Sequence, residues 1–292
     1  MTIPPPQRLA LVVHPKRPVA EPLAVVERWA GERGIDVVEI HTPGSLDRHL
    51  APDSTAEPGD LLVALGGDGT VLSALRAGAP VDAPVLGVAC GSLGMLTAVG
   101  AEKVGDALER VHAGDWTPRR LPALSIQPAS GSDEWAVNDF VAVRHDAGQL
   151  VANVSVDGEL YVRLAGDGLI VSTALGSTGY SMAAGGPVIA TDAAAFLFTP
   201  VAMHGGNAPP LVVGAASSIE VELHPGFAGF DIEIDGHNHP EPELSYTLTL
   251  ERDKVTLVAF GERPDRLTRL RERRLISDSA RVLARDDRGD AA

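Results

Sequence analysis

Residues 61–70 read Leu-Leu-Val-Ala-Leu-Gly-Gly-Asp-Gly-Thr, an apolar run that ends in a glycine-rich turn. The five apolar residues predict a buried strand, and residues 71–77 have the pattern of a helix. The turn therefore delivers backbone N–H groups to a helix start, where they and the helix dipole favour an anion. Glycines at positions 66, 67 and 69 let the backbone approach phosphate oxygens without a Cβ in the way.

Asp68 stands at the tip of this turn. A carboxylate beside a phosphate is repelled unless a cation intervenes or the carboxylate has a proton to accept. Both situations are typical of phosphoryl transfer, in which Asp68 would act as general base on an attacking hydroxyl and contribute ~10²- to 10⁴-fold to the rate. The alternative is a tight turn in which Asp68 only caps the helix. The chain has neither the lysine-bearing Walker loop nor a GxGxxG turn after its first strand.

The pattern around this turn predicts two domains and a tail. Residues 1–115 alternate short apolar runs with helix-like stretches, which predicts parallel strands in an α/β domain. Residues 116–260 contain short β-branched segments, among them residues 134–143, 246–250 and 255–260, and turns such as Asp157-Gly158 and Asp235-Gly236 separate them. This pattern predicts a β-rich, β-sandwich-like domain. Residues 261–292 form an arginine-rich tail, and Leu267 and Leu270 are predicted to give it a helix face that packs back on the first domain.

Composition excludes several classes of protein. Of 292 residues, 39 are Asp or Glu and 24 are Lys or Arg, and this net charge of −15 argues against nucleic-acid binding. It leaves room for a small anionic ligand held by backbone amides or by a metal. The single cysteine, Cys90, excludes an internal disulfide and a cysteine-based zinc site. No apolar run reaches the ~20 residues that span a bilayer, and no signal-peptide layout is seen, so a cytoplasmic protein without a membrane partner is expected.

A second glycine-rich run covers residues 166–187, GDGLIVSTALGSTGYSMAAGGP. Two glycine turns flank a strand there, and the hydroxyl groups offer hydrogen bonds to a polyhydroxylated or phosphorylated ligand. Tyr180 can lie against a flat base. The alternative is a β-bulge region, in which glycine and serine are ordinary.

Asn138 and Asp139 form a third candidate. They break the apolar alternation of residues 135–140, so one of them faces inward and needs a hydrogen-bond partner. The adenine or ribose of a ligand would supply one. The alternative is a turn on an edge strand.

In this order the motifs resemble the ATP-dependent NAD kinase family, from about residue 9 to residue 260. GGDGT alone also fits diacylglycerol kinases, sphingosine kinases and 6-phosphofructokinases, which lack the second run in this form. The resemblance implies an α/β domain, a β-rich domain and a ligand between them. It further implies transfer of a phosphoryl group from ATP or polyphosphate to the 2′-hydroxyl of the adenosine ribose of NAD, which makes NADP. A divalent cation, Mg²⁺, and a homodimer or homotetramer are also expected.

The resemblance also implies roles for individual residues. Asp68 matches the proton acceptor, Asp167 an aspartate near the nicotinamide ribose or amide, and residues 178–183 a segment contributed partly by a neighbouring subunit. No side chain is assigned as a metal ligand. The implied substrate-binding residues are Gly66, Gly67, Gly69, Thr70, Asn138, Asp139, Asp167, Thr178, Gly179, Tyr180, Ser181, Met182, Ala183 and His237.

Four positions depart from the family pattern. Asp139 replaces a glutamate, Ala89 an asparagine, Ser73 a basic residue and Pro209 an arginine. The loss of two basic groups, at Ser73 and Pro209, is expected to weaken binding of the pyrophosphate or of the phosphate donor. Two alternatives therefore stay open: a kinase of the same superfamily that acts on another nucleoside or on a lipid hydroxyl, and an NAD(P)-binding regulator without activity.

Overall fold

The computed structural model describes residues 4–41, 51–52, 54–224, 229–261, 266–272, 275–280 and 282. The α-helices are α1 (Ala20–Arg33), α2 (Asp68–Gly78), α3 (Val104–His112), α4 (Tyr180–Ala183) and α5 (Arg266–Glu272). Short 3₁₀ turns cover Ala79–Val81, Ala101–Lys103 and Gly176–Thr178. No helix within these ranges is long and apolar enough to cross a membrane.

The strands alternate with helices only in the first part of the chain. In chain order they are β1 (Arg8–Val13), β2 (Asp36–Glu39), β3 (Asp60–Gly66), β4 (Val85–Ala89), β5 (Val99–Gly100), β6 (Thr117–Pro128), β7 (Glu134–Ala136), β8 (Asp139–Arg144), β9 (Leu150–Val156), β10 (Glu159–Gly166), β11 (Gly168–Thr173), β12 (Ala195–Val201), β13 (Leu211–Gly214), β14 (Ser218–His224), β15 (Phe230–Ile234), β16 (His237–Asn238) and β17 (Ser245–Ala259).

The first lobe is a parallel sheet covered on both faces. Strands β2, β1, β3 and β4 lie side by side in that order and are parallel. Helices α1 and α3 pack on one face, and α2 packs on the other. Every residue of β3 is buried, as expected for a parallel strand between two helical layers. The carboxyl ends of β1, β3 and β4 therefore meet at one edge, where ligands bind in such sheets.

The second lobe is a β-sandwich. One layer is an antiparallel sheet in the order β13-β12-β11-β8-β15-β16, and the facing layer contains β10, β9, β14, β17 and β6. Phe140, Phe196 and Phe198 lie fully buried between the layers. Strand β17 pairs with β14 and β6 in the sandwich and then with β4 of the first lobe. One sheet therefore runs through both lobes and fixes their strand ends relative to each other.

The fold class predicted from the sequence is confirmed, with local differences. Residues 246–250 and 255–260, predicted as two strands, form the single strand β17 with an irregular register between Glu251 and Val255. Residues 134–143, predicted as one strand, are broken between β7 and β8. Helix α2 begins at Asp68 and not at residue 71, because the glycine turn is tight enough for the helix to start at once. The domain boundaries at residues 115 and 260 stay a prediction.

Candidate active site

Asp68 is the first residue of α2 and follows directly on β3. Its carboxylate accepts two hydrogen bonds from the loop after β4: Met95 N donates to Oδ2 and Leu96 N to Oδ1, each at 2.9 Å. The side chain is partly exposed. Each carboxylate oxygen accepts more than one hydrogen bond, so Asp68 is fixed in direction and still able to take a proton from a ligand.

Gly94 makes this fixation possible. A Cβ at Gly94 would collide with Asp68 Oδ1 and lie 2.7 Å from its Cγ. The Gly94 backbone N–H donates to Thr97 Oγ1 at 2.8 Å, which holds the loop against the carboxylate. The loop backbone can therefore approach the Asp68 carboxylate this closely only because residue 94 is a glycine.

A cleft of about 230 Å³ separates the lobes in front of Asp68. Its lining comes from three parts of the chain: Asp68, Met95 and Leu96 from the first lobe; Asn138, Leu175, Gly176, Thr178 and Gly179 from the second; and Leu275 from the tail. The structure thus brings together the general-base candidate and residues of both other sequence motifs.

Asn138 enters the cleft from a bend between β7 and β8. Its backbone N–H donates to Asp235 Oδ1 at 2.7 Å, and its carbonyl accepts from Thr173 N at 2.9 Å. Its side-chain amide has no hydrogen-bond partner among the described residues. The backbone is thus fixed on both sides, while the amide is available to a ligand.

Asp139 is the buried member of the pair. It is 8% exposed, and its Oδ2 lies 3.9 Å from where a Cβ of Gly179 would stand. Burial, and then the charges of Asp235 and Glu233, raise the pKa of Asp139 to about 7. No described residue offers its carboxylate a hydrogen bond. A ligand hydroxyl would supply the missing partner.

This raised pKa has a consequence for stability. The unfolded chain loses the Asp139 proton near its ordinary pKa of 3.8, whereas the folded chain keeps it to about 7. The folded state therefore binds more protons in between, and this carboxyl lowers stability progressively as pH rises from about 4 to 7. We expect the free energy of unfolding of Asp139→Asn, measured relative to wild type in urea, to rise by about 2 kcal/mol between pH 5 and pH 8.

The matched control for that measurement is Asp36→Asn, which removes an exposed carboxyl at the start of β2. Its stability difference from wild type should not change over the same pH range. If the stability difference between Asp139→Asn and wild type is also independent of pH, the assignment of the buried proton to Asp139 is wrong.

Asp235, which the sequence analysis read only as part of a turn, holds the bend at 137–139. Its side chain is 1% exposed, and its carboxylate accepts backbone N–H groups of Val137 at 2.9 Å, Asn138 at 2.7 Å and Asp139 at 3.3 Å. Its backbone is left-handed, with φ of 50°. One buried carboxylate thus satisfies the backbone N–H groups of this bend.

Arg76 connects this bend to α2. Its Nη1 donates to Trp135 O at 2.8 Å and lies 3.5 Å from Asp235 Oδ2, and its guanidinium lies 5.2 Å from the Trp135 ring centroid. The helix that begins with Asp68 is therefore tied to the bend that carries Asn138. No local pattern in the sequence marks this contact.

We expect Asp235→Asn to lower the free energy of unfolding by about 2–4 kcal/mol, because the new NH₂ group faces backbone donors and leaves one unsatisfied. Urea unfolding at pH 6, where Asp139 is largely protonated, measures this without a change in repulsion between the two carboxyls. The matched control is Asp157→Asn at the exposed Asp157-Gly158 turn, where Asp157 Oδ1 accepts Ser218 N at 2.8 Å. Equal losses in the two variants would show that Asp235 is an ordinary turn residue.

Asp167 lies away from the cleft. It precedes β11, whereas Thr173 and the 176–179 segment follow it, so the two groups are roughly 20 Å apart along the strand. The Asp167 carboxylate accepts Arg144 Nε at 2.7 Å and lies 3.6 Å from His204 Nε2. Within one chain, Asp167 does not join Asp68.

The other predicted residues divide into buried and exposed groups. Ser181 is fully buried, with its hydroxyl bonded to Thr199 Oγ1 at 2.8 Å. Gly66, Gly67 and Thr70 are buried beneath the loop. Tyr180, at 42% exposure, is open to solvent. Gly69, Ala183 and His237 are also exposed, whereas Met182 is half-buried, and these four residues lie outside the cleft lining.

Three of the positions that depart from the family pattern, Ser73, Ala89 and Pro209, lie outside the cleft lining. Ser73 Oγ donates to Gly69 O at 3.1 Å within α2, Ala89 is buried at the end of β4, and Pro209 O accepts Tyr161 Oη at 2.7 Å. The tail contributes a residue that the sequence analysis did not place there: Leu275 lines the cleft, while Leu270 is fully buried. Packing of the tail on the first domain stays a prediction.

Comparison with known proteins gives a consistent result. Residues 9–116 match the family model described as the ATP-NAD kinase N-terminal domain, and residues 137–252 match the ATP-NAD kinase C-terminal domain. The chain is 32% identical over 265 residues to the NAD kinase of Chlorobium phaeovibrioides, covering 87% of this chain and 94% of that protein. It is 35% identical over 199 residues to the NAD kinase of Clostridium perfringens, covering 67% and 72%.

Two solved structures resemble the fold. Yeast NADH kinase complexed with NADH superposes with a TM-score of 0.77 at 19% identity, covering 94% of this chain and 89% of that chain. An NAD kinase from Archaeoglobus fulgidus in complex with ATP gives a TM-score of 0.67 at 24% identity, covering 87% and 93%.

Proposed function

This chain belongs to the NAD kinase family, and we propose that it transfers the terminal phosphoryl group of ATP to the 2′-hydroxyl of the adenosine ribose of NAD, with Asp68 as proton acceptor. The activity itself, ATP-dependent phosphorylation of NAD to NADP, is that of the relatives it matches over most of its length. No comparison favours a lipid, another nucleoside or a regulator without activity. The observation that carries the role of Asp68 is its carboxylate, fixed at the cleft opposite Asn138 and Thr178.

The chemical step follows from this position. The ribose oxygen attacks the terminal phosphorus of ATP as its proton passes to Asp68, a new P–O bond forms, and the bond to the bridging oxygen breaks so that ADP leaves. The amides of Met95 and Leu96 hold the carboxylate in place throughout. The positive end of the α2 dipole would favour the incoming phosphate charge.

A divalent cation, Mg²⁺, fits this site as a partner of the nucleotide. Asp68 is the acidic side chain among the described residues of the cleft lining, and the described residues contain no group of three metal-ligating side chains. Mg²⁺ is commonly held by one or two carboxylates together with substrate phosphates and water. The phosphates of ATP would hold it in the cleft beside Asp68, and when bound it would neutralise charge on the transferring group.

The second lobe would hold the dinucleotide. The amide of Asn138, which has no partner among the described residues, and the buried carboxyl of Asp139 lie beside the segment 176–179, which lines the same side of the cleft. The Asp139 carboxyl can hydrogen-bond ribose hydroxyls in either protonation state: when protonated it donates one hydrogen bond and accepts through the other oxygen, and when ionised it accepts at both oxygens.

A homo-oligomer would complete the dinucleotide site. Asp167, Arg144 and His204 form a partly exposed polar cluster at the far end of β11. That cluster cannot reach Asp68 within one chain. A neighbouring subunit could instead place its own Asp167 at the cleft, next to the residues 176–179 of the same sequence motif. A cytoplasmic location likewise stays a prediction.

The direct test incubates the purified full chain with NAD, ATP and Mg²⁺ and measures NADP by an NADP-specific dehydrogenase. Separate arms replace ATP with polyphosphate and NAD with NADH, which settles the donor and the redox form of the acceptor. Formation of 2′-phosphorylated product with ATP is expected. Absence of product in every arm, from protein that unfolds cooperatively, would overturn the proposal.

A further inference from the structure

Three loops meet beside the glycine turn, at the carboxyl ends of β1, β3 and β4, and one of them carries an arginine that the motifs do not include. We propose that Arg17 binds the phosphates of the donor nucleotide and supplies the positive charge that Ser73 and Pro209 do not. This inference rests on the proposed function, because it names a residue for the donor side of the same site.

The guanidinium of Arg17 lies flat against the glycine turn. A Cβ at Gly67 would stand 3.0 Å from Nη2 and 3.1 Å from both Cζ and Nη1. A Cβ at Gly91 would stand 3.1 Å from Nη1, which donates to Cys90 O at 3.2 Å. Glycine at 67 and 91 therefore admits the guanidinium to the start of α2, where the helix dipole favours an anion.

The loop holds Arg17 in that direction. His14 Nδ1 accepts the backbone N–H of Lys16 at 3.1 Å and that of Arg17 at 3.2 Å, which closes the turn after β1. The side chain is half-buried. Because the turn and the contact with Gly67 fix the side chain, little side-chain freedom remains to be lost on binding.

The guanidinium of Arg17 has no ion-pair partner among the described residues. Its one polar contact with the described residues is the Cys90 carbonyl, and no described carboxylate pairs with it, in a chain with a net charge of −15. Nε and Nη2 stay available as donors, and a guanidinium binds phosphate oxygens in a bidentate manner. A half-buried cation that pairs with no described carboxylate and lies beside a candidate phosphate-binding turn is well suited to receive an anion.

The position favours ATP over NAD as the partner. Arg17, Gly67 and Gly91 all belong to the first lobe, and Gly67 directly precedes Asp68. The groups expected to hold NAD, Asn138 and Asp139, lie in the second lobe across the cleft. Asp68 stands between the two sides, as the transfer of a phosphoryl group requires.

The test compares Arg17→Met, which keeps the length of the side chain and removes the charge, with Arg28→Met on the exposed face of α1. We expect Arg17→Met to raise the KM for ATP about 10- to 100-fold, the loss that accompanies removal of a charged hydrogen bond. The KM for NAD should stay as in wild type, and Arg28→Met should change neither constant. Calorimetry with a non-hydrolysable ATP analogue should show the same loss of affinity as the KM for ATP.

The outcomes are separable. An inactive wild-type protein would refute the proposed function. An active wild type with an unchanged KM for ATP in Arg17→Met, or with a raised KM for NAD and unchanged analogue binding, would overturn this inference alone. A cooperative urea transition matching that of wild type identifies Arg17→Met as folded. If that variant is unfolded, Arg17→Lys replaces it, with a smaller rise in the KM for ATP expected because lysine keeps the charge without the planar fork.

Discussion

The Asp68→Asn variant is expected to form NADP ~10²- to 10⁴-fold more slowly than wild type while its KM values for NAD and ATP stay close to those of wild type. Asparagine has nearly the shape of aspartate but cannot take the proton of the ribose hydroxyl. Steady-state kinetics with both substrates varied separates the effect on kcat from the effect on binding.

The control for this variant is Asp106→Asn. Asp106 is an exposed carboxyl in the first turn of α3, so it matches Asp68 in residue type and helix position but lies outside the cleft. Its removal should leave kcat unchanged. If Asp68→Asn also kept the wild-type kcat, Asp68 would be a helix cap, which is the alternative that the sequence left open.

The second large effect is expected at Gly94. In Gly94→Ala the new methyl group would collide with Asp68 Oδ1, so the carboxylate must leave the amides of Met95 and Leu96. Displacement of a reacting group by about 1 Å costs on the order of 10²-fold in rate. We therefore expect kcat to fall by about that factor although every proposed catalytic and binding side chain is still present.

Gly31→Ala is the matched control, because a Cβ there has nothing within 4 Å and the position is helical. It should keep full activity and gain slightly in stability. Wild-type activity in Gly94→Ala would show that the position of Asp68 is not critical, and the central role given to its carboxylate would be wrong.

Much of the first lobe could be predicted from local patterns. The apolar run before Gly66 gave β3, and Gly34, with φ of 63°, ends α1 as a helix-ending glycine should. Asp68, Asn138 and Thr178 were each identified from sequence, and the structure brings them to one cleft. These features could be predicted because each depends on the apolar period and the turn residues within a few positions of the chain.

The supporting contacts are of a different kind. Asp235 holds the backbone of Val137 from 98 residues away, and Arg17 reaches Cys90 across 73 residues. Such pairings depend on which strand ends the sheet brings together, and no local pattern records them. The shared strand β17 is a further example, because its central irregularity looks like a turn between two strands when only the sequence is read.

The chemical role of Asp68 is tested most directly by a single turnover. Enzyme in excess over radiolabelled ATP, saturated with NAD and Mg²⁺, is quenched at millisecond intervals, and labelled NADP is separated from ATP. We expect Asp68→Asn to bind labelled ATP as wild type does and to transfer the label ~10²- to 10⁴-fold more slowly. Transfer at the wild-type rate would contradict the role of Asp68 as proton acceptor.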